Sequence, residues 1–119
     1  MKKPLAALCL IVLAGRLIAL AGPAFAHARL VHSNPDAGSH VADIDKVVLE
    51  FSEKLEPAFS GAELTDGAGN KVAAPQDIAG ASITLKAPNL KPGRYRVYWH
   101  SVGEDTHRME GSFPFTVLP

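Results

Sequence analysis

His27 stands directly after an apolar leader, and both its type and its position suit metal chelation. The leader, residues 1–26, opens with two lysines soon after Met1, continues as a Leu/Ala/Val-rich run and ends in Ala24-Phe25-Ala26. This is the three-part pattern of a secretory signal peptide. Cleavage after Ala26 would make His27 the N-terminal residue, and its α-amine and imidazole Nδ1 could then bind one ion. An α-amine has a reference pKa of about 8, so it loses its proton to a metal ion easily near neutral pH.

An uncleaved membrane anchor is the alternative interpretation of the leader, because the run is almost long enough to span a bilayer. Arg16 and Pro23 interrupt the run and favour cleavage. Cys9 does not fit a lipoprotein signal well, since Leu8 precedes it where a small residue is expected, and we expect it to leave with the leader. The sequence therefore predicts a cleaved signal peptide at 1–26 and one domain at 27–119.

Asp105 and His107, in the segment EDTH, offer a second pair of metal-binding groups. In an extended segment, residues two apart project to the same side, roughly 6.6 Å apart along the chain, and can converge on one ion. Two imidazoles, an amine and a carboxylate form a set of three nitrogens and one oxygen, which favours Cu(II) in a tetragonal plane. Each half alone has an ordinary explanation: Asp105 as a turn residue that binds backbone amides, and His107 as a partly exposed ring.

Net charge and cysteine content limit the kinds of protein to which the predicted domain can belong. After Ala26 the chain has nine basic and twelve acidic residues, a formal charge of −3. Nucleic-acid binding is not expected, because it requires a basic stripe. The same region has no cysteine, so an exported domain of this size must fold on its hydrophobic core without disulfides.

Short β-type runs alternate with clusters of turn residues through 27–119, and this pattern predicts an all-β sandwich or barrel. In the run KVVLEF, alternate apolar residues share one face, and the Tyr95-Val97-Trp99 face of a later strand is predicted to lie in the core. In the last strand, Phe113, Phe115 and Val117 share a face. The predicted strands are 28–32, 46–51, 62–64, 82–86, 94–102 and 111–118.

Three segments of the chain carry a resemblance to a known family: HARLVHSNPDAGS from residue 27, VVLEFSEKLEPAFSGAEL from residue 47 and LKPGRYRVYWHSVGEDTHRMEGSFPFTV from residue 90. With their spacing, these segments closely resemble the CopC family of periplasmic copper-binding proteins. The resemblance implies a periplasmic, seven-stranded Greek-key β-barrel or sandwich, immunoglobulin-like or cupredoxin-like. It also implies one Cu(II) ion per chain, held by His27, Asp105 and His107, and a role in copper sequestration, delivery or resistance without catalysis.

The resemblance further implies an inner-membrane transporter of the CopD type as a partner besides the copper ion. No membrane span is predicted after the leader, so this chain would meet such a transporter as a separate protein. Some family members also have a Met-rich loop for Cu(I). Met109 is the only methionine after the leader, and we therefore expect no separate Cu(I) site, which would need soft ligands.

Two other classes of function stay open at this stage. A metal-free immunoglobulin-like interaction module would explain the strands equally well, although not the three ligand-type residues. A histidine-brace copper oxygenase also uses an N-terminal histidine, but Asp105 would fill a copper position that catalysis needs open. His32, His40 and His100 are expected to be structural or solvated, and His100 is the best candidate among them for orienting a ligand.

Overall fold

The computed structural model describes residues 27–119, which form two packed β-sheets. One sheet has the strand order β1-β3-β7-β6 and the other the order β2-β9-β8-β4-β5. The predicted all-β class is confirmed, whereas the signal peptide and Cys9 lie outside the described residues. The strands are β1 Leu30–Asn34, β2 His40–Val41, β3 Lys46–Phe51, β4 Gly61–Asp66, β5 Lys71–Val72, β6 Gln76–Ala79, β7 Ser82–Lys86, β8 Gly93–Val102 and β9 Arg108–Val117, with a short 3₁₀ helix at Pro57–Phe59.

The hydrophobic core lies between the sheets and comes from alternate residues of the long strands. Every apolar residue on the predicted face of β3 is buried, as are Tyr95 and Val97 of β8, while Trp99 is half-buried and packs against the same cluster. Tyr95 stacks on Phe115 of β9, and its hydroxyl donates to the Lys91 carbonyl at 2.7 Å. The predicted core faces are therefore confirmed.

The described residues contain nine strands rather than the seven that the family resemblance implies. β2 and β5 have only two residues each, too few for an alternating pattern to predict. β6 is not predicted either, because its sequence QDIA contains one β-branched residue and no aromatic one. β6 is a strand because it pairs with β7.

β9 begins at Arg108, three residues before the predicted start, and this shortens the loop from β8 to residues 103–107. The first residues of β9 are mostly polar, but they pair in continuous register with β8, from Val102↔Arg108 to Trp99↔Gly111. Gly111 is required by close packing, since a Cβ there would lie 2.7 Å from the Trp99 ring.

No helix within residues 27–119 has both the length and the apolar character that a bilayer crossing requires.

Gly111→Ala should destabilise the fold, because the added methyl group would displace the Trp99 ring from its edge-to-face contact with Phe51, at 5.4 Å between centroids. We expect the free energy of unfolding to fall by about 1–3 kcal/mol, as for other overpacked sites. Urea denaturation followed by far-UV circular dichroism measures this change. Gly67→Ala is the matched control, because a Cβ there makes only an ordinary contact at 3.5 Å; equal losses in both variants would contradict the packing argument.

Candidate metal centre

The first three described residues, 27–29, form a terminal segment that lies against both sheets before β1 begins. Its middle residue, Ala28, is fully buried in the core. Pairing of β1 with β3 starts at the next residue, at Leu30↔Phe51, and its register shifts between Leu30 and His32. Because the burial of Ala28 anchors the segment, the neighbouring His27 lies at a defined place at one end of the sandwich.

The β8–β9 loop, residues 103–107, carries Asp105 and His107 in a tight turn. The Thr106 amide donates to the Gly103 carbonyl at 3.0 Å, and Thr106 has a φ of 65°, a left-handed conformation that is uncommon for a β-branched residue. Asp105 Oδ1 accepts a hydrogen bond from the His107 amide at 3.1 Å. The expectation of an extended segment here is wrong: Asp105 and His107 lie in a turn, which brings their side chains together.

Gly103 joins the loop to the terminal segment. A Cβ at this position would overlap the Glu53 carboxylate and would lie 3.3 Å from the Ala28 Cβ. A larger residue here would displace the Glu53 side chain and press on Ala28, so the glycine favours the close approach of the loop to the segment. The contact brings together His27 and Asp105, which are 78 residues apart in the chain.

His27, Asp105 and His107 meet at this junction. Asp105 Oδ2 lies 2.6 Å from His27 Nδ1 and 3.4 Å from His107 Nδ1, and the two imidazole centroids are 4.7 Å apart. One potential ligand atom from each residue lies within 4.8 Å of the others, and no other group of three His, Cys, Asp or Glu residues in 27–119 has this property. The side chain of Asp105 is 17% exposed and that of His107 is 63% exposed, so the cluster opens to solvent on the His107 side.

Hydrogen bonds stabilise Asp105 as an anion. The bond from the His27 imidazole is the largest cause that lowers the pKa of Asp105 below its ordinary value of 3.8; partial burial opposes it, and the His107 amide adds to it. Asp105 is therefore ionised at neutral pH, as a metal ligand must be. The His27 nitrogen that faces the carboxylate is Nδ1, the same atom that could chelate an ion together with the α-amine of that residue.

The other three histidines lie elsewhere. His32 on β1 and His40 on β2 are exposed. His100 lies on the outer face of β8, with its ring beside Gly61, and burial lowers its pKa. Within residues 27–119 no hydrogen bond links His100 to any of the three clustered residues, so the structure does not support a role in orienting a ligand.

Sequence reasoning missed the residues that support the cluster. Glu53 places a second carboxylate against Gly103, and two serines, Ser52 and Ser101, bind the backbone of the terminal segment. None of these residues has a ligand-type spacing with the cluster. They are recognised only when the ends of β3 and β8 are placed beside residues 27–29.

A family model described as "CopC domain" matches residues 30–118. The chain belongs to the CopC family. Copper resistance protein C of Escherichia coli is 39% identical to this CopC chain over 119 residues, which cover 90% of this chain and 94% of that protein. The crystal structure of PcoC, a methionine-rich copper resistance protein from Escherichia coli, has a TM-score of 0.70 and 40% identity, and the match covers 77% of this chain and 99% of that one.

A third relative is a much longer protein than this chain. Copper transport protein CutJ of Bacillus subtilis is 29% identical over 107 residues, a match that covers 85% of this chain but only 20% of that protein. In CutJ, the region similar to CopC is therefore a small part of a longer chain.

The apo fold of this CopC chain should lose stability in acid through Asp105. Because the pKa of this carboxyl is lower in the folded than in the unfolded state, its contribution is present above pH 3.8 and disappears as the pH falls through the folded-state pKa. The midpoint of urea denaturation, measured with a chelator present, should fall more between pH 6 and pH 3 for the wild type than for Asp105→Asn. Equal falls would mean that His27 does not stabilise the ionised carboxylate in the absence of metal.

Proposed function

We propose that this CopC protein binds Cu(II) in the periplasm and acts in copper sequestration, delivery or resistance. The observation that carries the proposal is the meeting of His27, Asp105 and His107, three residues with metal-binding side chains, at one end of the sandwich. Membership of a family that includes copper resistance proteins supports copper as the ion that the protein carries.

Four donor groups would hold the ion: the α-amine and Nδ1 of His27, a carboxylate oxygen of Asp105 and the imidazole of His107. This set of three nitrogens and one oxygen suits a tetragonal Cu(II) ion, which also has the highest affinity in the divalent series. A proton held at His27 Nδ1 would have to leave when the ion binds there, so binding should release protons and weaken in acid. We propose one Cu(II) ion per chain.

The α-amine of His27 is available only if the chain is cut between Ala26 and His27. The proposal therefore includes a signal peptide at 1–26 and a mature domain at 27–119 in the periplasm. The leader pattern and the buried position of Ala28 both support this boundary, since the docked segment presents its first residue at the cluster.

The chemistry of the proposed ligands also indicates how the protein would release copper. Cu(I) prefers softer ligands, so reduction should weaken the hold of two imidazoles and a carboxylate. Met109, half-buried on β9, is the only methionine in 27–119, and no separate Cu(I) site is proposed.

A CopD-type inner-membrane transporter is the proposed partner. The presence of a CopC-like region within the longer copper transport protein CutJ supports an association between this domain and transport.

Binding rather than catalysis is proposed, because Asp105 would fill a coordination position that an oxygen-activating copper enzyme keeps open. The distance of 2.6 Å between Asp105 Oδ2 and His27 Nδ1 supports this assignment. A metal-free interaction module would not account for a cluster of two imidazoles and a carboxylate.

Titration of Cu(II) into the domain beginning at His27 should show one tight equivalent. A version of the domain acetylated at the α-amine of His27 should bind at least about tenfold more weakly, a difference of about 1.4 kcal/mol, because an amide replaces the chelating amine. Competition with a chromophoric chelator measures both dissociation constants.

His107→Ala and His32→Ala form a matched pair for this titration. The first removes a proposed ligand and should weaken binding, whereas the second removes an exposed imidazole from β1 and should leave it unchanged. Equal affinity of the native and the acetylated terminus would show that His27 does not chelate through its amine.

A further inference from the structure

Three hydrogen bonds join Ser52 to the terminal segment. The Ser52 hydroxyl donates to the His27 carbonyl at 2.8 Å and accepts from the Arg29 amide at 2.9 Å. The Ser52 amide donates to the Arg29 carbonyl, also at 2.8 Å. Ser52 directly follows β3, and its side chain thus extends the β1–β3 pairing beyond the pair Leu30↔Phe51.

Ser101 binds the same segment from the other sheet. It lies on β8, is fully buried, and its hydroxyl donates to the Ala28 carbonyl at 2.5 Å. The carbonyls of His27, Ala28 and Arg29 therefore all accept hydrogen bonds, and the donors come alternately from the two sides of the sandwich. A chain end ordinarily frays unless it is tied down in this way.

The bond from Ser52 holds the backbone of His27, whereas the contact with Asp105 holds only its ring. Asp105 contacts the imidazole ring of His27, which leaves the direction of the α-amine to the backbone. The bond from Ser52 to the His27 carbonyl sets the peptide plane next to the His27 Cα. The backbone carbonyl and the ring of His27 are therefore held by separate contacts.

We propose that Ser52 and Ser101 are positioning residues for copper, holding the terminal segment so that His27 already faces Asp105 and His107 before the ion arrives. This inference rests on the proposed function, because it assigns both serines to the same Cu(II) site. An undocked segment would have to be ordered during binding, and the apparent affinity would fall with the docked fraction.

Ser52→Ala tests this role without endangering the fold, because Ser52 is exposed. Ser52→Ala/Ser101→Ala removes the side-chain hydrogen bonds to the backbone of the segment. Ser60→Ala is the matched control: Ser60 is also buried near this end, and its hydroxyl accepts from the Val102 amide at 3.0 Å without touching residues 27–29. Ser52→Thr keeps the hydroxyl and should restore the wild-type behaviour.

The first measurement is amide hydrogen exchange in the metal-free domain. Exchange at Arg29 should accelerate about tenfold or more in Ser52→Ala, because its acceptor is lost, and should stay unchanged in Ser60→Ala. This measurement requires no metal, so it tests the docking of the segment independently of the proposed function.

The second measurement is Cu(II) affinity by chelator competition, together with the electron paramagnetic resonance spectrum. Ser52→Ala should bind about threefold more weakly and the double variant about tenfold or more. The double variant should also show a mixture of copper environments where the wild type shows one. Ser60→Ala and Ser52→Thr should bind within about twofold of the wild type.

The outcomes separate the two proposals. Tight wild-type binding with unchanged affinity and spectrum in the double variant would overturn the positioning role and leave the proposed function standing. Equal weakening in Ser60→Ala would also overturn it, because the effect would then be one of general stability. Failure of the wild type to bind Cu(II) would overturn both proposals, whatever the result at Arg29.

Discussion

The burial of Ala28 between the two sheets is the constraint on which the candidate metal centre depends. Ala28 is fully buried, its methyl group lies beside Gly103, and its carbonyl accepts a hydrogen bond from Ser101 on β8, so the residue before it is held at the junction of the two sheets. Through this contact His27 becomes part of a rigid site, which is the condition for precise ligand geometry.

The β8–β9 hairpin provides the other half of the centre by continuous pairing followed by an abrupt turn. Ten residues of each strand pair before the chain reverses within five residues. The left-handed Thr106 and the bond from the His107 amide to Asp105 complete this reversal. Asp105 consequently serves two purposes, since one carboxylate oxygen fixes the turn and the other faces the imidazoles.

Much of the fold could be predicted from the sequence, because strong alternation in β3 and β8 marks both the strands and their buried faces. β2, β5 and β6 could not, since neighbouring strands rather than local propensity form them. The early start of β9 was missed for the same reason.

The three clustered residues were identified from residue type and from the position of His27 after the leader. The means of bringing them together was not predicted correctly, because a φ of 65° at Thr106 has no sequence signal: threonine is not a residue that favours it. The contributions of Ser52 and Ser101 were also invisible, since a serine that binds a distant backbone has no characteristic spacing.

Because 78 residues separate His27 from Asp105, the centre can form only when the domain folds. A pair so distant in the chain meets only after the loop between them has closed, and the entropy of that closure is recovered through the pairing of the intervening strands. The cluster of His27, Asp105 and His107 therefore exists only when the terminal segment and the β8–β9 loop are both in their native places. A partly folded copy has the same three side chains but does not bring them together, so the cluster itself reports that the domain has reached its native topology.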